Sequence, residues 1–68
     1  MKISARNQFA GTVTAVHPGA VNATIKVDIG HGNTVTSSIT NEALDDLGLA
    51  PGDAVTVIVK ASDVMIGK

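Results

Sequence analysis

Two short segments hold the residues best suited to chemistry. Near the start, Ser4-Ala5-Arg6-Asn7-Gln8 sets a hydroxyl, a guanidinium and side-chain amides close together. Near the end, Lys60-Ala61-Ser62 follows Val55-Thr56-Val57-Ile58-Val59, so a cation emerges from a strongly apolar strand. With the backbone N–H groups around them, these residues form a set rich in donors. Such a set complements a fully ionised oxyanion, which accepts hydrogen bonds and donates none. The plain alternative is a solvated strand entry and a lysine that snorkels to water.

Catalysis is poorly supplied by comparison. The chain has no cysteine, and its two histidines, His17 and His31, sit at turns. No serine has an evident His–Asp relay. Asp45, Asp46 and Asp53 fall on a helix and a turn, where solvated carboxylates are ordinary. A phosphate-cradling Gly-x-x-x-x-Gly-Lys loop is missing, and two histidines without a cysteine are too few for a His/Cys zinc site. The expectation is a binding protein, not an enzyme, with no catalytic cofactor and no direct cation ligands.

Composition narrows the partners. Net charge is −1 and Phe9 is the only aromatic residue. A nucleic-acid binder needs a basic footprint, and a single-strand binder needs stacking platforms, so neither nucleic acid nor membrane is expected as a partner. No run reaches the ~20 apolar residues of a membrane span. No secretory pattern follows Met1, which makes the cytoplasm the expected location. A chain of 68 residues is read as one domain, 1–68, of a size that is marginal alone. With disulfides impossible and 44% of residues hydrophobic against 16% charged, oligomerisation is the expected source of extra burial.

The elements that must position the two segments are mostly strands. Residues 9–17 are rich in β-branched side chains and end at Pro18-Gly19. Residues 20–29 alternate, with Val21, Ala23, Ile25, Val27 and Ile29 on one face. Gly30-His31-Gly32-Asn33 reads as a hairpin turn, and residues 34–40 as a third, polar strand whose Thr34, Thr36, Ser38 and Thr40 form an exposed face. Then the period changes. Thr40 or Asn41 caps a short helix, Ala43, Leu44 and Leu47 share its inner side, and Gly48 ends it. After the turn Leu49–Asp53, residues 54–61 read as a strand buried on both faces, and Val64-Met65-Ile66 as a last short one. The fold class is therefore all-β: a five-stranded OB-like Greek-key barrel with one short helix between strands 3 and 4. A small open sheet that pairs with a partner is the competing architecture.

The same residues carry a family resemblance. Lys2-Ile3-Ser4-Ala5-Arg6-Asn7-Gln8 paired with Lys60-Ala61-Ser62-Asp63-Val64-Met65-Ile66 resembles the molbindins, the Mop-type molybdate-binding proteins. The likeness runs on through Gly30-His31-Gly32-Asn33, Ser38-Ile39-Thr40 and Leu47-Gly48-Leu49-Ala50-Pro51-Gly52. It implies an OB-like fold assembled as a homo-hexamer, a trimer of dimers. It further implies molybdate, or tungstate, bound at subunit interfaces for molybdenum storage and homeostasis. By this resemblance Ser4, Arg6 and Lys60 hold the oxyanion, with Ala5, Asn7, Ala61 and Ser62 around it and Thr40 contributed by a neighbouring subunit. Some members place a serine three residues after that threonine; here Ala43 stands there, so one hydroxyl contact is lost. A second oxyanion site is implied near Gly19, Ala20 and Asn22, beside His17. The alternatives are an OB-type nucleic-acid module, a molybdenum-pterin carrier, a sensor domain of a larger regulator or transporter, and an oligomer without a ligand.

Overall fold

The computed structural model describes all residues, Met1–Lys68. Four strands form one antiparallel sheet: β1 (Asn7–Pro18), β2 (Asn22–Gly30), β3 (Asn33–Thr40) and β4 (Ala54–Val59), in the order β3-β2-β1-β4. The helix α1 (Asn41–Leu47) lies between β3 and β4 in the chain, and a 3-10 turn covers Ala61–Asp63. The all-β, OB-like class with its single short helix is as expected from the sequence. The strand count is not: Val64-Met65-Ile66 forms no strand, and Ala61 belongs to the 3-10 turn rather than to β4. The ladders join β1 to β2, β1 to β4 and β2 to β3, so β3 and β4 are both edges. A strand needs an edge to pair with, and β4 is followed at once by a turn that carries the tail away. No helix is long and apolar enough to cross a membrane.

Strand β1 serves two neighbours. Its first half, Asn7 to Thr12, pairs with β4, and its second half, from Thr12 to Pro18, pairs with β2. A bulge at Thr14 makes this possible: Val13 faces Val27, but Ala15 faces Lys26. The extra residue reverses the side-chain parity. Val13 is thus buried, and Val16, of opposite parity, packs on the same core. Gly11 lies close against β2, since a Cβ there would come within 2.7 Å of Asp28 O and Val27 Cγ1.

The core is small. Only Val13, Ala23, Ile25, Val27 and Leu44 are buried, with Val16, Ile29, Ile39, Leu49, Val55 and Val57 packed around them. The inward face of β2 is the one read from its alternation, except that Val21 is exposed. Two other expectations are overturned. Strand β4 is not buried on both faces: Val55, Val57 and Val59 are half-buried, while Ala54, Thr56 and Ile58 are exposed. Leu47 is 68% exposed rather than packed inward with Leu44. A lone edge strand has a cover on one face only, and Leu47 lines the open groove beside β4 instead of the core. Met1, Leu47, Leu49, Ala54, Val55 and Ile58, with Thr56, line an apolar groove of ≈ 610 Å³.

The turns follow local chemistry. At the β2–β3 hairpin, Gly30 pairs with Asn33 across His31 and Gly32. Both central residues have positive φ, 54° and 77°, as the favoured two-residue hairpin requires. Helix α1 begins at Thr40, whose Oγ1 accepts from the Ala43 N–H at 3.1 Å, and ends at Gly48 in the left-handed conformation. Removing that cap by Thr40→Ala is expected to cost about 1 kcal/mol, a fall of about 4–8 °C in the melting temperature of a domain this size. Thr40→Ser is expected to retain most of it. A thermal melt of anion-free protein checks both, and an unchanged melt for the alanine variant would show that the cap contributes nothing.

Candidate functional site

The β1–β4 ladder ends at the pair Asn7 and Val59. The next residues along the two strands are Arg6 and Lys60, which therefore leave the sheet side by side. Asn7 Nδ2 donates to Val59 O at 3.2 Å and staples the last pair. Gln8 Nε2 donates to Ala5 O at 2.7 Å and folds the entry segment back on itself. Beyond Lys60, Asp63 N–H donates to Lys60 O at 2.9 Å and starts the 3-10 turn. The two segments singled out by the sequence thus meet at one end of the sheet, and backbone pairing is what joins them.

Charge and donors at this end are uncommitted. Neither the Arg6 guanidinium nor the Lys60 ammonium takes part in a side-chain hydrogen bond. The backbone N–H groups of Ser4, Ala5, Arg6, Ala61 and Ser62 donate in none of the backbone bonds outside the regular elements. Arg6, Lys60, Ser4 and Ser62 are all exposed, and Ala5 is half-buried. Two neighbouring cations among free N–H donors attract an anion. Asn7 commits one amide proton to Val59 O and keeps the other. Gln8, outside that set, braces the segment.

Thr40 lies elsewhere. It pairs with Asn22 at the far end of β2, next to the Pro18 and Ala23 pair that ends β1. From there to Asn7 the chain runs the length of β1, a contour of roughly 36 Å at the usual strand rise; the longest dimension of the molecule is 34 Å. No hydrogen bond links the two ends. Thr40 therefore gathers with Gly19, Ala20 and Asn22 at a second pole of the chain, and Ser4, Ala5, Arg6 and Asn7 gather with Lys60, Ala61 and Ser62 at the first. The Thr40 hydroxyl accepts from Ala43 N–H and keeps its own proton free to donate. Lys26, the one lysine or arginine within the sheet, is spent on Thr36 Oγ1 at 2.7 Å. Asp53 is a turn residue, its Oδ2 accepting from Ala50 N–H at 2.9 Å. No group of histidines, cysteines or carboxylates is arranged to hold a metal ion.

Comparison with known proteins gives concordant matches. The family model described as the TOBE domain matches residues 3–66. A probable molybdenum-pterin-binding protein of Haemophilus influenzae is 45% identical over 67 residues, covering 98% of this chain and 97% of that protein. Among solved structures, a molybdate-binding protein from Sporomusa ovata superposes with a TM-score of 0.93 at 41% identity, covering both chains fully. The cytoplasmic molybdate-binding protein ModG superposes with a TM-score of 0.90 at 42% identity over 96% of this chain, which spans 46% of ModG.

Proposed function

The chain belongs to the TOBE-domain family, among its small Mop-type members, and we propose that it binds molybdate between the subunits of a homo-oligomer. The observation that carries this reading is the pair Arg6 and Lys60, set side by side among free backbone N–H groups with no counter-charge of their own. The site residues are Ser4, Ala5, Arg6, Lys60, Ala61 and Ser62 of one subunit, with Asn7 stapling them. Thr40 comes from a neighbour, because its own chain holds it at the opposite pole. The whole of residues 1–68 acts as one such domain.

Ligand choice follows from the donors. Molybdate is a dianion with no proton near neutral pH, and it neutralises two cations that otherwise repel. Phosphate near neutral pH carries a proton that needs an acceptor, and a hydroxyl that accepts it has its own donor to place elsewhere, so the donor-rich site favours the unprotonated anion. Sulfate brings no proton, so it is rejected by size, having shorter bonds to oxygen. Tungstate matches molybdate in charge and shape and is bound as well.

Assembly follows from burial. Five buried side chains are a small core for 68 residues, and Val64, Met65 and Ile66 are exposed together with the apolar groove beside β4. Exposed apolar surface of this kind belongs to subunit interfaces. The assembly is a hexamer, a trimer of dimers, and its role is cytoplasmic storage and buffering of the anion.

Native mass spectrometry of anion-free protein, titrated separately with molybdate, sulfate and phosphate, tests the reading. The expected result is discrete molybdate adducts on a hexamer and none with the other anions. A hexamer that takes up no molybdate refutes the ligand, and a pterin would then be tried. Because the ligand binds only the folded assembly, molybdate at a hundred times Kd is expected to stabilise it by ~2.7 kcal/mol. A melting temperature unmoved by molybdate would contradict this.

A further inference from the structure

Gln8 belongs to β1 and pairs with Ile58 of β4. Its amide serves a different segment. Nε2 donates to Ala5 O at 2.7 Å, three residues back along the chain. Ala5 and Arg6 precede the sheet, which starts at Asn7. Among the side-chain hydrogen bonds and the backbone bonds outside the regular elements, this is the only one that involves residues 1–6.

The bond decides how Arg6 is presented. In a planar trans peptide the carbonyl and the N–H point in opposite directions. Holding Ala5 O toward the Gln8 amide therefore turns the Arg6 N–H away from it, and that N–H has no partner in the chain. The direction in which Arg6 leaves the strand is set by the same peptide. Lys60 needs no such brace. It follows β4 directly, and its carbonyl is taken by the Asp63 N–H. Folding gives the Gln8 bond little to do: it is exposed, and residues 1–6 supply none of the five buried side chains. A surface bond of that kind adds little net stability.

Resting on the molybdate reading above, we propose that Gln8 is the positioning residue for Arg6. Its amide fixes the Ala5–Arg6 peptide before any anion arrives, and so sets where Arg6 stands beside Lys60. Without the brace Arg6 is ordered only when the anion binds, and the cost of ordering it falls on affinity. Gln8 keeps a second amide proton, so a direct contact with the anion is the competing part, and the test separates the two.

Gln8→Met keeps the length and neutrality of the side chain and removes the donor. Isothermal titration with molybdate compares wild type, Gln8→Met, Arg6→Ala and the double variant, beside anion-free thermal melts. Gln8→Met is expected to weaken binding about tenfold, the order of fixing one residue's backbone, with the melt unmoved. In the double variant the losses should not multiply. Once the guanidinium is gone there is nothing to place, and affinity stays within about twofold of Arg6→Ala alone. Gln8→Lys restores a donor of similar reach and is expected to bind at least as tightly as wild type. Four results overturn the proposal: unchanged affinity in Gln8→Met, losses that multiply in the double variant, Gln8→Lys as weak as Gln8→Met, or a Gln8→Met protein that melts lower or fails to assemble. A wild type that takes up no molybdate removes the underlying reading instead, and shows it before any variant is made.

Discussion

Arg6→Ala is expected to weaken molybdate binding about a hundredfold while leaving the anion-free protein folded. Truncating one partner of a buried, hydrogen-bonded charge pair typically costs about 2–5 kcal/mol, and about 2.7 kcal/mol is a factor of one hundred. Folding is spared because Arg6 lies outside the sheet, is exposed and makes no side-chain hydrogen bond within the chain. Surface changes of that kind stay within about 0.5 kcal/mol. Loss of one of two adjacent cations relieves repulsion, so the anion-free assembly should melt no lower than wild type. Arg6→Lys keeps the charge and loses the planar fork, and it belongs between the two. Isothermal titration with molybdate, beside a thermal melt without it, reads both quantities. Wild-type affinity in Arg6→Ala would remove Arg6 from the site, and an unfolded variant would mean that the segment carries structure as well as charge.

Leu44→Ala is expected to destabilise the anion-free protein by about 2–5 kcal/mol, the usual cost of emptying a buried leucine site. The total stability of a domain this size is on the order of 3–10 kcal/mol, so the variant sits at the edge of folding. Leu44 is the only buried residue of α1 and the helix's anchor in the core. The helix also carries Thr40 at its cap and Asn41 at its start. Its loss therefore loosens the second pole before the first, where Arg6 and Lys60 are held by the β1–β4 ladder. Urea unfolding followed by circular dichroism measures the effect. A midpoint within experimental error of wild type would show that the helix is not held by this contact.

Much of the fold was legible because the signals were local. The Gly30–Asn33 hairpin, the Thr40 cap and the Gly48 stop each depend on a few adjacent residues whose conformational preferences decide the outcome. The inward face of β2 was legible because nothing interrupts its alternation. Strand β1 was not fully so. The bulge at Thr14 puts Val13 and Val16 on one core face, and a period-2 reading places them on opposite faces. The apolar run of β4 predicts burial on both sides, yet Ile58 and Thr56 are exposed. An apolar residue reports that a surface is to be covered; it does not report whether this chain or another supplies the cover. Val64-Met65-Ile66 is the same case, a strand-like triplet that pairs with neither open edge of its own chain's sheet.

The candidate site divides along the same line. Residue types alone carry the chemistry: the cations Arg6 and Lys60, with hydroxyls and amides close to both in the chain. Those properties belong to side-chain identity and need no fold. Which residues share a place is settled by strand pairing. Pairing of Asn7 with Val59 brings residues 52 positions apart into contact, and the same sheet carries Thr40 to the other pole. It also ties Asn41 to the β1–β2 turn, where Asn41 Nδ2 donates to Gly19 O across 22 positions. Contacts between residues distant in the chain are set by strand order and register, which the bulge and the two edges of the sheet fix, and local preferences carry no record of them.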